Sequence, residues 1–153
     1  FPEPPMIALL QRVSEARVDV DGETVGQIQA GILALVAVER GDGEAQASRM
    51  LERILGYRIF ADDQGRMNRS LKDTGGGLLL VSQFTLAADT ASGMRAGFSG
   101  AATPEDGERE FSRLVEMARA AYSPVETGRF RTHMQVHLIN DGPVTFHLRV
   151  APA

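Results

Sequence analysis

The chain predicts an α+β fold, a largely antiparallel sheet able to curl into a barrel, with two main helices inserted. Three observations predict it. Short apolar runs follow one another closely and are joined by glycine turns, which favours strands pairing with sequence neighbours. Two longer stretches instead repeat apolar residues at helical spacing. The 153 residues, 43% of them hydrophobic, suit one core, since a chain of about this length buries roughly 68–70% of its unfolded surface.

Residues 1–5, Phe1-Pro2-Glu3-Pro4-Pro5, differ from the rest. Their prolines fit neither sheet nor helix. They are expected to be an added or alternative leader, with Met6 the natural start, and lack the basic and small-residue marks of a secretion signal. Met6 to Val13 reads as a strand. Arg17 to Val20 and Thr24 to Gln29 alternate around Asp21-Gly22, a two-residue hairpin turn. Gly31 to Val38 is almost continuously apolar, as a buried central strand is, and Gly41-Asp42-Gly43 breaks it. From Glu44 to Leu55, the residues Ala47, Met50, Leu51, Ile54 and Leu55 form one helical stripe. Tyr57 to Phe60 reads as a short strand before the turn at Asp62-Asp63-Gln64-Gly65. Gly75-Gly76-Gly77 leads into a buried strand, Leu78 to Val81.

Residues 87–102, rich in Ala, Gly, Ser and Thr, read as an irregular surface loop. Thr103-Pro104-Glu105-Asp106 is a helix start, with a capping hydroxyl, a first-turn proline and acids at the positive end of the dipole. Phe111, Leu114, Val115, Ala118 and Tyr122 form that helix's buried stripe, and Pro124 stops it. Gln135 to Asn140 and Val144 to Val150 read as two strands joined by Asp141-Gly142-Pro143. One domain, residues 6–153, is expected.

Composition narrows the chemistry. There is no cysteine, which removes disulfides, thiolate nucleophiles and cysteine-ligated metals and suits a reducing compartment. The net charge of −4 argues against broad coating of nucleic acid, but leaves room for a small basic pocket that engages one end of it. No apolar run approaches the roughly 18 residues of a membrane span. The three glycines at 75–77 precede leucines and not the Gly-Lys-Ser of a phosphate loop. His133 and His137 read as strand residues, where four positions span roughly 13 Å, too far for two ligands of one ion. His147 alternates outward. No serine sits in a nucleophile elbow.

Two segments carry more. Ser82-Gln83-Phe84-Thr85-Leu86 closes a buried strand. Asn140-Asp141-Gly142-Pro143-Val144-Thr145 reads alone as a hairpin turn, yet its proline removes a ladder donor and restricts the glycine before it. Together they resemble the two signatures of the D-aminoacyl-tRNA deacylases, also called D-tyrosyl-tRNA deacylases. Gln11-Arg12-Val13, Gly65-Arg66-Met67-Asn68 and Ser70-Leu71 match as well, in the family's order, from Met6 to about Val150.

The resemblance implies a cytoplasmic homodimer of barrel-like α+β fold. It would use no cofactor and no metal, and D-aminoacyl-tRNA, rather than DNA or a membrane, would be its partner. The activity implied is hydrolysis of the ester joining a D-amino acid, and glycine, to the 3′-terminal ribose of tRNA, with L-amino acids rejected. Ser82, Gln83, Phe84 and Thr85 would line the reaction centre. Gly142 and Pro143, joined by a cis bond, would enter the partner subunit's site and read the amino group through backbone carbonyls. Arg12 would hold that loop, with Asn140 and Met134 in support. A non-catalytic tRNA-end or protein-binding domain is the alternative.

An aminoacyl ester is already activated, so an oriented water or hydroxyl and oxyanion donors suffice. The Thr85 hydroxyl could be a nucleophile, but that needs a base and none is visible. The alternative, which we favour, is that the RNA's own 2′-hydroxyl activates or positions the water. Two departures stand out. Arg95-Ala96-Gly97-Phe98 replaces the family's Arg-Pro-Ser-Phe and is expected to loosen its loop. Phe130-Arg131-Thr132-His133-Met134 replaces Phe-Gly-Ala-x-Met, so that Arg95, Arg129 and Arg131, with His133, would offer tRNA a local positive patch.

Overall fold

The computed structural model describes residues 6–41 and 43–150; the expected leader, residues 1–5, and Asp42 of the predicted break lie outside them. Eight strands, β1 Met6–Val20, β2 Glu23–Ile28, β3 Gly31–Ala37, β4 Phe60–Ala61, β5 Met67–Arg69, β6 Gly77–Ser82, β7 Val125–Thr127 and β8 Gln135–Val150, alternate with helices α1 Glu44–Gly56, α2 Leu71–Thr74 and α3 Pro104–Ala121. A 3₁₀ turn covers Phe84–Ala87.

The main sheet runs β2-β1-β3-β6-β7, with β8 along the other edge of β1. Pairings of β1 with β2, β3 and β8 are antiparallel, while β3–β6 and β6–β7 are parallel. The sheet is therefore mixed, and it curls into a nearly closed barrel. Gly26 of β2 shows how closely the far edge returns, because a Cβ there would lie 2.3 Å from the Thr127 carbonyl oxygen of β7. Only a residue without a side chain permits that approach.

The central strands are apolar throughout because both of their faces are covered. Ile32, Ala34, Leu78 and Leu80 face one core together with α1 and α3. Leu33, Leu79 and Val81 face a second core inside the barrel, with Val13, Ala16 and Val18. The predicted stripe of α1 is buried throughout, as are Phe111, Leu114, Val115 and Ala118 of α3. Tyr122, half-buried past the end of α3, donates its hydroxyl to the Gly76 carbonyl at 2.5 Å. Thr103 caps α3 as expected, its Oγ1 accepting the Asp106 N–H at 3.2 Å. Thr103→Ala is expected to cost about 1 kcal/mol and to lower the Tm by roughly 2–4 °C, checked by thermal melting.

Three local expectations are corrected. Residues 6–20 form one strand, because β8 runs beside them for their whole length. The pairing after α1 starts at Phe60, not Tyr57; Tyr57 instead caps α1 and turns its ring toward Phe146. Asp141-Gly142-Pro143 does not join two hairpin strands. Thr145 pairs with Gln11 and Asn140 with Val13, so 141–144 bulge from a strand that keeps its direction. A hairpin turn and a bulge ask for the same residue types, and the partner strand decides between them.

Candidate active site

The parallel strands β3 and β6 end side by side, and a cavity of about 430 Å³ opens beyond their carboxyl ends. Val36, Val38 and Val81 form its floor. Ser82, at the end of β6, and Gln83 and Phe84 form one wall; Thr103, Pro104, Gly107 and Phe111 at the start of α3 form another. Phe130 to Met134, which precede β8, close the third side. Loops leaving the carboxyl ends of parallel strands commonly build ligand sites.

The wall at Gln83 has a specific polar geometry. The Gln83 N–H is tied to the Val36 carbonyl at 2.8 Å, and its carbonyl accepts from Leu86 at 3.1 Å. Phe84 and Thr85 follow as the first residues of the 3₁₀ turn. Their backbone N–H groups find no acceptor among the described residues, as expected where a helical turn begins. The Gln83 side-chain amide donates to the Thr85 hydroxyl. No imidazole or carboxylate bonds to Thr85 among the described residues, and an amide is no base in either orientation. Thr85 itself is exposed on the turn and does not line the cavity. The Phe84 ring, 64% exposed, leans on Phe98 with centroids 5.3 Å apart.

The second motif lies elsewhere on the chain. Gly142 and Pro143 are exposed, joined by a cis peptide bond, and absent from the cavity wall. Arg12 ties the bulge down: Nε donates to the Asp141 carbonyl at 2.9 Å and Nη1 to the Ile59 carbonyl at 3.0 Å. Asn140 closes its base, accepting the Val144 N–H at 2.8 Å and donating to the Thr145 hydroxyl at 2.9 Å.

The remaining residues named from sequence fall as follows. Met134 and Arg131 line the cavity; Arg129 and Arg95 are exposed outside it. The loop carrying Ala96 and Gly97 is pinned at its base, where Asp89 and Gly97 exchange both backbone hydrogen bonds at 2.7 and 2.9 Å. The two histidines part company. His133 lines the cavity, whereas Nε2 of His137 lies 3.3 Å from the Asp19 carboxylate. That carboxylate is held below its usual range, first by the Thr24 hydroxyl and then by Arg17 and His137. No group of three or more His, Cys, Asp or Glu residues could hold a metal among the described residues. Thr103, Pro104, Gly107 and Phe111 were missed as wall residues. A helix start signals its cap in the sequence, but not what the cap faces.

Residues 9–149 match the family model described as D-Tyr-tRNA(Tyr) deacylase. The chain is 67% identical to the D-aminoacyl-tRNA deacylase of Stenotrophomonas maltophilia (strain K279a), over 94% of this chain and 99% of that one. It is likewise 67% identical to the D-aminoacyl-tRNA deacylase of Thioalkalivibrio sulfidiphilus (strain HL-EbGR7), over 96% and 99%. Among solved structures, one named c-Myc DNA Unwinding Element Binding Protein superposes with a TM-score of 0.91 at 36% identity, over 96% of this chain and 99% of that one. A probable eukaryotic D-amino acid tRNA deacylase shares the fold, with a TM-score of 0.82 at 15% identity over 95% and 100%.

Proposed function

The chain belongs to the D-Tyr-tRNA(Tyr) deacylase family, and from that membership we propose how its residues hydrolyse the ester between a D-amino acid and the 3′-terminal ribose of tRNA. The activity is a chiral proofreading step that returns free tRNA; glycine, lacking a side chain, is also removed. The observation that carries the proposal is the 3₁₀ turn that leaves the end of β6 beside the cavity wall. Two neighbouring N–H groups without acceptors, those of Phe84 and Thr85, provide donors for the oxyanion that forms when the ester carbonyl is attacked. Water is the nucleophile, positioned by the RNA's 2′-hydroxyl; the Gln83 amide steadies the Thr85 side chain beside it.

Gly142 and Pro143 act on the site of a second copy of the chain. Their exposure, together with their absence from the cavity of their own subunit, supports this. The working enzyme is then a homodimer in which each subunit completes its partner's pocket. Backbone carbonyls of the bulge accept from the substrate's amino group, which dictates where the side chain points. A D-side chain leaves toward open space and an L-side chain strikes the bulge, so the site selects by exclusion. Arg12 and Asn140 keep the bulge in register, and Met134 supports the cavity wall. Arg95 and Arg129, exposed and without ion-pair partners among the described residues, contact the tRNA body. Such an enzyme works in the cytoplasm and needs no cofactor.

Incubation with D-tyrosyl-tRNA and L-tyrosyl-tRNA tests this, with release of tyrosine as the readout. Release from the D-ester alone is expected. Silence on both esters would leave a non-catalytic tRNA-end or protein-binding domain; equal release from both would remove the exclusion argument.

A further inference from the structure

We propose that Arg131 and His133 form a phosphodiester subsite at the cavity rim, holding the phosphate that joins the terminal nucleoside to the rest of the tRNA. The inference rests on the deacylase reading and adds how this chain grips the RNA.

The segment between β7 and β8 is fastened at both ends by apolar side chains. Phe130 packs against Phe111 of α3 with ring centroids 6.2 Å apart. Met134 packs on the core inside the barrel. Between these anchors Arg131, Thr132 and His133 are exposed. The Thr132 hydroxyl donates to the Arg129 carbonyl at 2.9 Å, which folds the segment into a turn. Arg131 has φ +60°, a backbone region few non-glycine residues occupy. The turn places Arg131 and His133 on the cavity lining.

Position and charge together single the pair out. Arg95 and Arg129 also lack ion-pair partners among the described residues, but Arg131 is the one arginine of the described residues on the cavity lining. Arg12, Arg17, Arg49, Arg109 and Arg113 each have a carboxylate partner. Neither Arg131 nor His133 has a side-chain hydrogen bond or ion pair among the described residues, and no Asp or Glu lines the cavity. Beside the wall residues of α3 stand Glu105, Asp106, Glu108 and Glu110; Arg109 engages Asp106 at 2.9 Å and Glu110 at 3.2 Å, and Arg113 engages Glu110 at 3.3 Å.

A nucleoside that enters this largely apolar cavity takes its 5′-phosphate only as far as the rim, because a phosphate buried without partners is costly. At the rim a guanidinium offers a two-pronged donor and an imidazole one more N–H. Phosphate contacts supply affinity and register without touching the reacting ester.

The test compares D-tyrosyl-tRNA with 3′-O-D-tyrosyl-adenosine, which lacks the phosphate, using wild type, Arg131→Asn and His133→Gln. Asparagine tolerates the positive φ. For Arg131→Asn, KM on the tRNA is expected to rise about five- to tenfold, with kcat unchanged and the salt slope of log KM shallower by roughly one. Turnover of the adenosine ester is expected to be unchanged, and His133→Gln to show the same pattern more weakly. Arg119→Asn, the same charge loss at the far end of α3, is the control. Equal losses on both esters would overturn the subsite in favour of a wall role; no loss on either, or a loss matched by Arg119→Asn, would overturn it as well. Anisotropy with unacylated tRNA reads binding without catalysis, so a wild type that fails to deacylate removes the deacylase reading while the subsite still stands or falls on the affinity of Arg131→Asn.

Discussion

Gly142→Ala is expected to lower kcat/KM on D-tyrosyl-tRNA by at least about 100-fold, because a catalytic or positioning group displaced by about 1 Å loses that much. Gly142 has φ +145°, a conformation L side chains rarely adopt. A Cβ there would lie 2.6 Å from Val144 Cγ2 and 2.8 Å from the Val144 backbone nitrogen. Val144 is buried and cannot simply swing away, so the bulge must move, and the carbonyls proposed to read the amino group move with it. Stability is expected to fall by about 1–3 kcal/mol. Single-turnover deacylation beside a thermal melt separates the two effects. A variant that melts lower yet deacylates at the wild-type rate would remove Gly142 from the site. Arg12→Lys serves as a milder probe: one ammonium replaces a fork that spans the Asp141 and Ile59 carbonyls, so KM and kcat should both suffer while the chain still folds.

The second large effect concerns the substrate. D-tyrosyl-tRNA whose terminal ribose lacks the 2′-hydroxyl is expected to react at least about 100-fold more slowly, the low end of what a positioned proton-transfer group contributes. Thr85→Ala, by contrast, is expected to turn over near the normal rate. The local geometry argues for this order. The Thr85 hydroxyl meets only the Gln83 amide among the described residues, and no group there can take its proton. The N–H groups of Phe84 and Thr85 belong to the backbone and survive the substitution. Rates measured on the two substrates with both proteins decide the point. A Thr85→Ala enzyme that is dead on the normal substrate, beside a wild type indifferent to the 2′-hydroxyl, would make Thr85 the nucleophile.

Several parts of this molecule were legible from local pattern. The helix at 104–121 announces itself through Thr103, Pro104 and the apolar stripe, since capping and periodicity are properties of a few adjacent residues. The central strands are apolar on both faces because cores lie on both sides of them, and a continuous apolar run reports that. The strand-end motif at residues 82–85 and the glycine–proline motif at 140–145 stood out as a resemblance carried by residue identity and order.

Tertiary structure decided the rest. A continuous apolar run reports burial on both faces but not the direction of the neighbouring strand, so the parallel pairing of β3 with β6 could not be read from it. Turn residues look the same in a hairpin and in a bulge, so the fate of residues 141–144 waited on β1, more than a hundred positions away. Arg12 and Asp141 are 129 positions apart and meet only because β1 and β8 pair along their whole lengths. The cavity likewise collects β3, β6, the start of α3 and the segment before β8. The sequence by itself determined which residues carry the motifs and which are buried, because burial leaves a periodic mark on the chain. Where those residues sit, and what they face, was settled by contacts between distant segments, which leave no periodic mark.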